Sequence, residues 1–276
     1  MTNDNFFSSL YFLTVPIYAL YFSINSIILV FFFLHSFPIY FLFSLFAFTL
    51  AIFALNSFNQ VTDKHIDILS KKYRPIINFT ISENYVYFFV YFFYLLSAFF
   101  GFLSNNFFIQ ILLLFFIVLS FFYSLNILNL RKFFGSNIFG TIFYGIMPVL
   151  LSWNFSSFFL TPFLLQAIIN TFFIASLKDY EDLSADKKYG IVTLPNFFGK
   201  NKSKKIILIG LFLSIIFSSF YSIYLFSNFF KTIIFLFFCL TSLLLFNIFF
   251  SQNIKSGVLF GFIHNIICLT SLLIFF

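Results

Sequence analysis

Charge is nearly absent from this 276-residue chain outside a few short breaks, and the apolar stretches between them approach or exceed the roughly 20 residues that cross a hydrocarbon core. With 62% of its residues hydrophobic and 8% charged, a soluble domain of this length could not hide so much apolar surface. The polar breaks predict about nine spans, near 7–33, 37–58, 84–101, 107–126, 137–152, 158–178, 206–226, 231–250 and 258–275. The first run has no basic start and no small-residue cleavage site, so it is read as a retained span. The 56 phenylalanines scatter over every apolar run and follow a compositional bias rather than a motif.

Basic residues orient the spans. Of fifteen Lys and Arg, only Lys231 falls outside the segments that follow spans two, four, six and eight. Positive charge stays cytoplasmic, which predicts a cell (inner) membrane protein with its N-terminus inside and its C-terminus outside. The formal charge of +7 is therefore a topology signal, and without a basic soluble domain no nucleic-acid partner is expected. Cys239 and Cys268 sit in apolar runs without metal-ligand spacing and read as buried small hydrophobes.

Two acidic stretches stand out, NQVTDKHIDILSKKYRPI and KDYEDLSADKKYGIVTLP. Asn59, Asp63 and Asp67 fall at i, i+4 and i+8 along one helical stripe, which Asn56 extends toward the membrane, and His65 points off it. Asp179, Asp182 and Asp186 fall at i, i+3 and i+7, again on one face. Both sets lie at the cytoplasmic ends of spans, in cap loops near 61–83 and 179–205. Hard oxygens in this number suit Mg²⁺, which takes a few carboxylates and fills its shell with water and phosphate oxygens. Lys71, Lys72, Arg74, Lys178, Lys187 and Lys188 stand ready to neutralise a diphosphate. The two sets recur about 119 residues apart, Asp63 to Asp182, in keeping with two four-helix halves plus one further helix.

These residues resemble the UbiA-type intramembrane prenyltransferases. The first family motif, Asn-x3-Asp-x3-Asp followed by Arg-Pro, matches Asn59, Asp63, Asp67 and Arg74-Pro75. The second matches Asp182 and Asp186, with Asp179 before them and GIVTLP after. Tyr123, followed by FFGSNIFG, is a looser match. The resemblance implies an all-α polytopic membrane fold, a single domain over 1–276 with its helices around a central cavity. It further implies transfer of a prenyl group from a prenyl diphosphate donor to a small aromatic or lipid acceptor. Carried over, Asn59, Asp63 and Asp67 bind one Mg²⁺, and Asp182 and Asp186, with Asp179, bind another. Arg74 and Lys178, with Lys71 beside them, contact diphosphate, and Tyr123 lends its ring face to the allylic cation. Two departures stand out. The family lysine four residues after the tyrosine is Ile127 here, with Arg131 or Lys132 as substitutes, and the first helix lacks the family's arginine. The motif wording is closer to the homogentisate, chlorophyll and archaeal ether-lipid branches than to the para-hydroxybenzoate or haem-farnesylating ones.

Two competing classes are a cation transporter with acidic rings at its mouth and an inactive accessory member of the same fold. Against the transporter, the spans themselves carry almost no charge, whereas ion paths are marked by midplane carboxylates or broken helices.

Overall fold

The computed structural model describes residues 3–34, 37–78, 80–125, 132, 134–153, 161–226 and 229–274. Helices α1 (Asn3–Thr14) and α2 (Pro16–Leu34) form the first apolar segment, bent by 58° between Ser8–Thr14 and Pro16–Phe31. Next come α3 (Ile39–Thr62), the short α4 (Lys64–Ser70), α5 (Glu83–Leu103) and α6 (Phe107–Ser124). The fifth segment runs as α7 (Gly135–Gly140), a π-helical turn over Thr141–Ile146, and α8 (Met147–Trp153). After α9 (Thr161–Ala175) lie a 3₁₀ turn at Lys178–Tyr180, α10 (Leu183–Tyr189) and α11 (Leu194–Phe198). Helices α12 (Lys200–Phe226), α13 (Phe229–Gln252) and α14 (Ile254–Ile274) complete the fold.

Each of the nine predicted spans overlaps helix, but length and apolarity separate them. Among the described residues six helices are long and apolar enough to cross a membrane, and the bent first pair makes a seventh if it counts as one span. Helix α9, with 15 residues, rises only about 22 Å at 1.5 Å per residue, short of a core about 30 Å thick. In α14 the apolar stretch among the described residues is the shorter Ser256–Ser271.

Phenylalanine serves both sides of these helices. On α5, Phe88, Phe92, Leu95, Phe99 and Phe102 recur three and four residues apart and are all exposed, the pattern of a lipid-facing stripe. Inside, Phe143, Phe116, Phe48 and Phe22 form a column of touching rings, with centroids 4.7, 5.6 and 5.6 Å apart. None of the four is more than 1% exposed.

The half of the bundle built by α9, α12 and α14 is held by polar contacts as well. Asn170 donates to Asn265 Oδ1 at 2.8 Å, Asn265 donates to the Tyr21 hydroxyl at 2.5 Å, and Ser214 donates to Asn170. These bonds tie α9, α14, α2 and α12 where no water competes for them.

Close approach of α9 to the π-helical turn depends on Gly145, where an added Cβ would lie 2.8 Å from Thr171 Oγ1 and 2.9 Å from the Ala167 carbonyl oxygen. Backbone cannot rotate away, so Gly145→Ala is expected to destabilise the protein by about 1–3 kcal/mol, the usual cost of overpacking. Thermal unfolding of the detergent-solubilised variant checks this.

Candidate functional site

The C-terminal end of α3 and the short helix after it build the first acidic set. The stripe expected on one continuous helix is instead bent at Asp63, which leaves helical geometry (φ −92°, ψ 5°) between α3 and α4. The turn still closes, since Asp67 N–H reaches the Asp63 carbonyl at 2.9 Å. Asn59 Nδ2 donates to Asp63 Oδ2 at 2.8 Å, fixing that carboxylate.

The second set repeats this construction. Asp182 has nearly the same backbone angles (φ −92°, ψ 1°), precedes a seven-residue helix, and accepts the Asp186 N–H at 2.8 Å. Gly190 ends that helix in the left-handed conformation (φ 66°) that glycine adopts without steric cost. The chain can then return, so that Ile191 N–H bonds the Asp186 carbonyl at 2.9 Å. Val192 next pairs with Lys132 and Phe134 through two 2.8 Å backbone bonds, which brings GIVTLP against the start of α7.

The two sets meet in a cavity of about 540 Å³. Asn59, Asp63, Asp67, Asp179, Asp182 and Asp186 all line it, together with Lys71, Arg74, Lys178 and Tyr123. Contacts between the halves are ionic and close. Lys71 forms an ion pair with Asp182 and Ser70 Oγ donates to Asp182 Oδ1 at 2.8 Å, while Arg74 pairs with Asp67 inside the first half. Outside the cavity the Tyr189 hydroxyl donates to the His65 carbonyl at 3.0 Å and its ring meets the His65 ring edge-on. His65 thus joins the two cap segments and faces away from the acids, as its helical position predicts.

Aromatic side chains line the same cavity. Tyr123 packs on Phe139 at 4.8 Å, Tyr18 stacks on Tyr144 at 5.0 Å, and Phe143 lies beside them. Ser136, Thr193, Tyr18 and Tyr144 are lining residues that the sequence reading did not single out. Ser136 donates to Asp179 Oδ2 at 2.9 Å, and its place inside FFGSNIFG was the available signal. Lys132 is exposed and does not line the cavity. Arg131 and Ile127 lie outside the described residues.

Burial dominates the electrostatics. It pushes the Asp179 carboxyl up to about 7, against the opposing pull of Lys178 and of the Ser136 hydrogen bond. Asp186 rises to about 7 by burial and then by the neighbouring charges of Asp179 and Asp182. Burial also opposes the charge on Asp182, but Lys71, hydrogen bonds from Lys71 and Ser70, and Arg74 outweigh it and hold that carboxyl below its usual range. The Arg74 guanidinium falls to about 10 through burial and stays charged at neutral pH.

Six hard-oxygen side chains on one cavity wall fit divalent ions that share phosphate oxygens. They do not fit a closed protein cage, because among the described residues no three carboxylate, histidine or cysteine side chains are grouped closely enough to hold an ion.

The sequence matches the UbiA prenyltransferase family over residues 27–266. This chain belongs to that family. It is an integral membrane prenyltransferase. No curated protein matches the sequence significantly. Among solved structures, a UbiA homologue from Archaeoglobus fulgidus bound to DMAPP and Mg²⁺ superposes with a TM-score of 0.70 at 14% identity, covering 95% of this chain and 99% of that one. An apo UbiA homologue from Aeropyrum pernix K1 gives 0.65 at 13% identity, covering 94% and 97%. A digeranylgeranylglyceryl phosphate synthase gives 0.64 at 19% identity, covering 98% of both chains. At these identities the likeness is one of fold, and it spans nearly the whole UbiA chain.

The raised carboxyls set a pH dependence. Between the unfolded carboxylate value near 4 and the folded value of about 7, the folded protein binds more protons at Asp179 and Asp186 than the unfolded chain does. Stability contributed by these two groups is therefore present at low pH and lost as pH rises toward 7. In buffer containing EDTA, the unfolding temperature is expected to fall between pH 5 and pH 7.5, and Asp179→Asn is expected to flatten that slope.

Proposed function

We propose that this prenyltransferase is Mg²⁺-dependent and moves a prenyl group from a prenyl diphosphate to a small aromatic or lipid acceptor. One observation carries the reading: two acidic sets, three cations and a cluster of aromatic rings line a single cavity. A diphosphate needs the charged groups, and an allylic carbon needs the rings.

Lys71, Arg74 and Lys178 bind the diphosphate oxygens as cations against anions, with Arg74 offering paired N–H donors. Asn59, Asp63 and Asp67 would hold one magnesium ion and Asp179, Asp182 and Asp186 another, supplying positive charge against the leaving diphosphate. The allylic C–O bond then breaks with its electron pair leaving on the diphosphate. The Tyr123 ring face lowers the energy of the positive carbon that remains. An electron pair of the acceptor forms the new bond, and the acceptor gives up a proton. The packed aromatic wall keeps water, the competing nucleophile, from that carbon.

Radiolabelled geranyl, farnesyl and geranylgeranyl diphosphates, incubated with the purified protein, Mg²⁺ and a panel of aromatic and glycerol-phosphate acceptors, test this. A prenylated product is expected that EDTA abolishes, and whose rate Asp63→Ala and Asp182→Ala each lower by about a hundredfold or more, the scale of losing a main electrostatic contact. Rates unchanged by both substitutions would falsify the assignment.

The distribution of basic residues supports placing the N-terminus and both cap segments in the cytoplasm and the C-terminus outside. Reporter fusions within 61–83 and 179–205 are expected to read the same side. Opposite sides would rule out a shared site.

A further inference from the structure

The first apolar segment is broken where it borders the cavity, and the break is held from α3. Pro16 has no N–H to offer the Phe12 carbonyl, and its ring disfavours a helical conformation at Val15. Val15 adopts φ 46°, in the left-handed region that β-branched residues avoid. Inside an apolar bundle the freed carbonyls need partners. Val15 N–H takes the Tyr11 carbonyl at 3.1 Å, and side chains of α3 take the next three. Gln60 Nε2 donates to the Phe12 and Leu13 carbonyls at 2.7 and 2.8 Å, and Asn56 Nδ2 donates to the Thr14 carbonyl at 2.9 Å.

Two details set this apart from routine capping. Gln60 is 2% exposed and its Oε1 has no hydrogen-bond partner among the described residues, so the residue carries a desolvation cost that an apolar side chain would avoid. Asn56 also accepts the Tyr144 hydroxyl at 3.3 Å, and Tyr144 stacks on Tyr18 in the first turn of α2. Both sides of the break are therefore registered against α3, the helix that ends in Asn59 and Asp63. Tyr11, Phe12, Val15, Pro16, Ile17 and Tyr18 at the break all line the cavity, whereas Gln60 does not.

We propose that Gln60, with Asn56, is a positioning residue for the donor's prenyl chain: it holds the broken segment so that its apolar wall stands in fixed register with the acidic sets. This rests on the prenyl diphosphate reading above and adds to it a part for a residue outside the cavity. A displaced wall costs affinity for the chain it grips and leaves the diphosphate-binding groups intact.

Calorimetric binding to the full-length, detergent-purified protein with Mg²⁺ separates the two contributions, using inorganic diphosphate and an unreactive geranyl diphosphate analogue as ligands. For Gln60→Leu, affinity for inorganic diphosphate is expected to stay within about threefold while affinity for the geranyl analogue falls roughly tenfold, the worth of one buried hydrogen bond. Adding Val15→Gly to Gln60→Leu is expected to recover most of the loss, because glycine takes a positive φ without strain and keeps the break unaided. Equal loss for both ligands, no loss for either, or no recovery with Val15→Gly overturns the proposal and leaves the function intact. Failure of the unsubstituted protein to bind either ligand overturns the function itself.

Discussion

A carboxylate held at the edge of an apolar bundle survives as an anion only when opposite charge lies within reach, and the site is organised around that requirement. Asp67 has Arg74 and Asp182 has Lys71. Asp179 and Asp186, more weakly compensated, have carboxyls raised to about 7. The basic side chains that face a bound diphosphate in the proposed reaction are thus the ones that make three buried acids and the half-buried Asp182 tolerable in the fold. Because Lys71 comes from the first half and Asp182 from the second, the same ionic contact also joins the two cap segments.

The halves repeat each other in backbone more clearly than in sequence. Asp63 and Asp182 each interrupt a helical path at nearly identical angles, each precedes seven helical residues, and each places a second aspartate four residues on. Their partners diverge: Asn59 donates to Asp63, while Ser70 and Lys71 of the opposite half hold Asp182. The two sets lie 119 residues apart, Asp63 to Asp182, with little similarity in the apolar sequence between them.

Most of the site was legible because its chemistry is rare in such a chain. Carboxylates and amides at helical spacing, set in 62% hydrophobic sequence, admit few readings, and every acidic residue singled out lines the cavity. Ser136 was marked only by its place in FFGSNIFG, and Tyr144 was not legible, since a hydroxyl in an apolar run gives no sign of where it points until α7 and its π-helical turn are placed. The helix interruptions were half-legible. Pro16 stands at the first, inside what reads in the sequence as one span over 7–33, and nothing local announces the non-helical angles at Asp63. Polar breaks likewise mark where an apolar run stops and leave open how much of it is helix of spanning length, a test that six or seven of the nine spans meet among the described residues.

The column of phenylalanine rings has a consequence for the membrane itself. Any protein that gathers carboxylates and lysines at one face of a bilayer risks becoming a leak, since hydrated ions follow polar walls. Phe48 lies 15 residues before Asp63 on α3, about 22 Å away along the helix axis, and with Phe22, Phe116 and Phe143 it forms a layer of touching rings that expose almost nothing. Packed rings offer a hydrated ion no dipole or lone pair to exchange for its water. A charged chamber bordered by such a layer has no polar path through it.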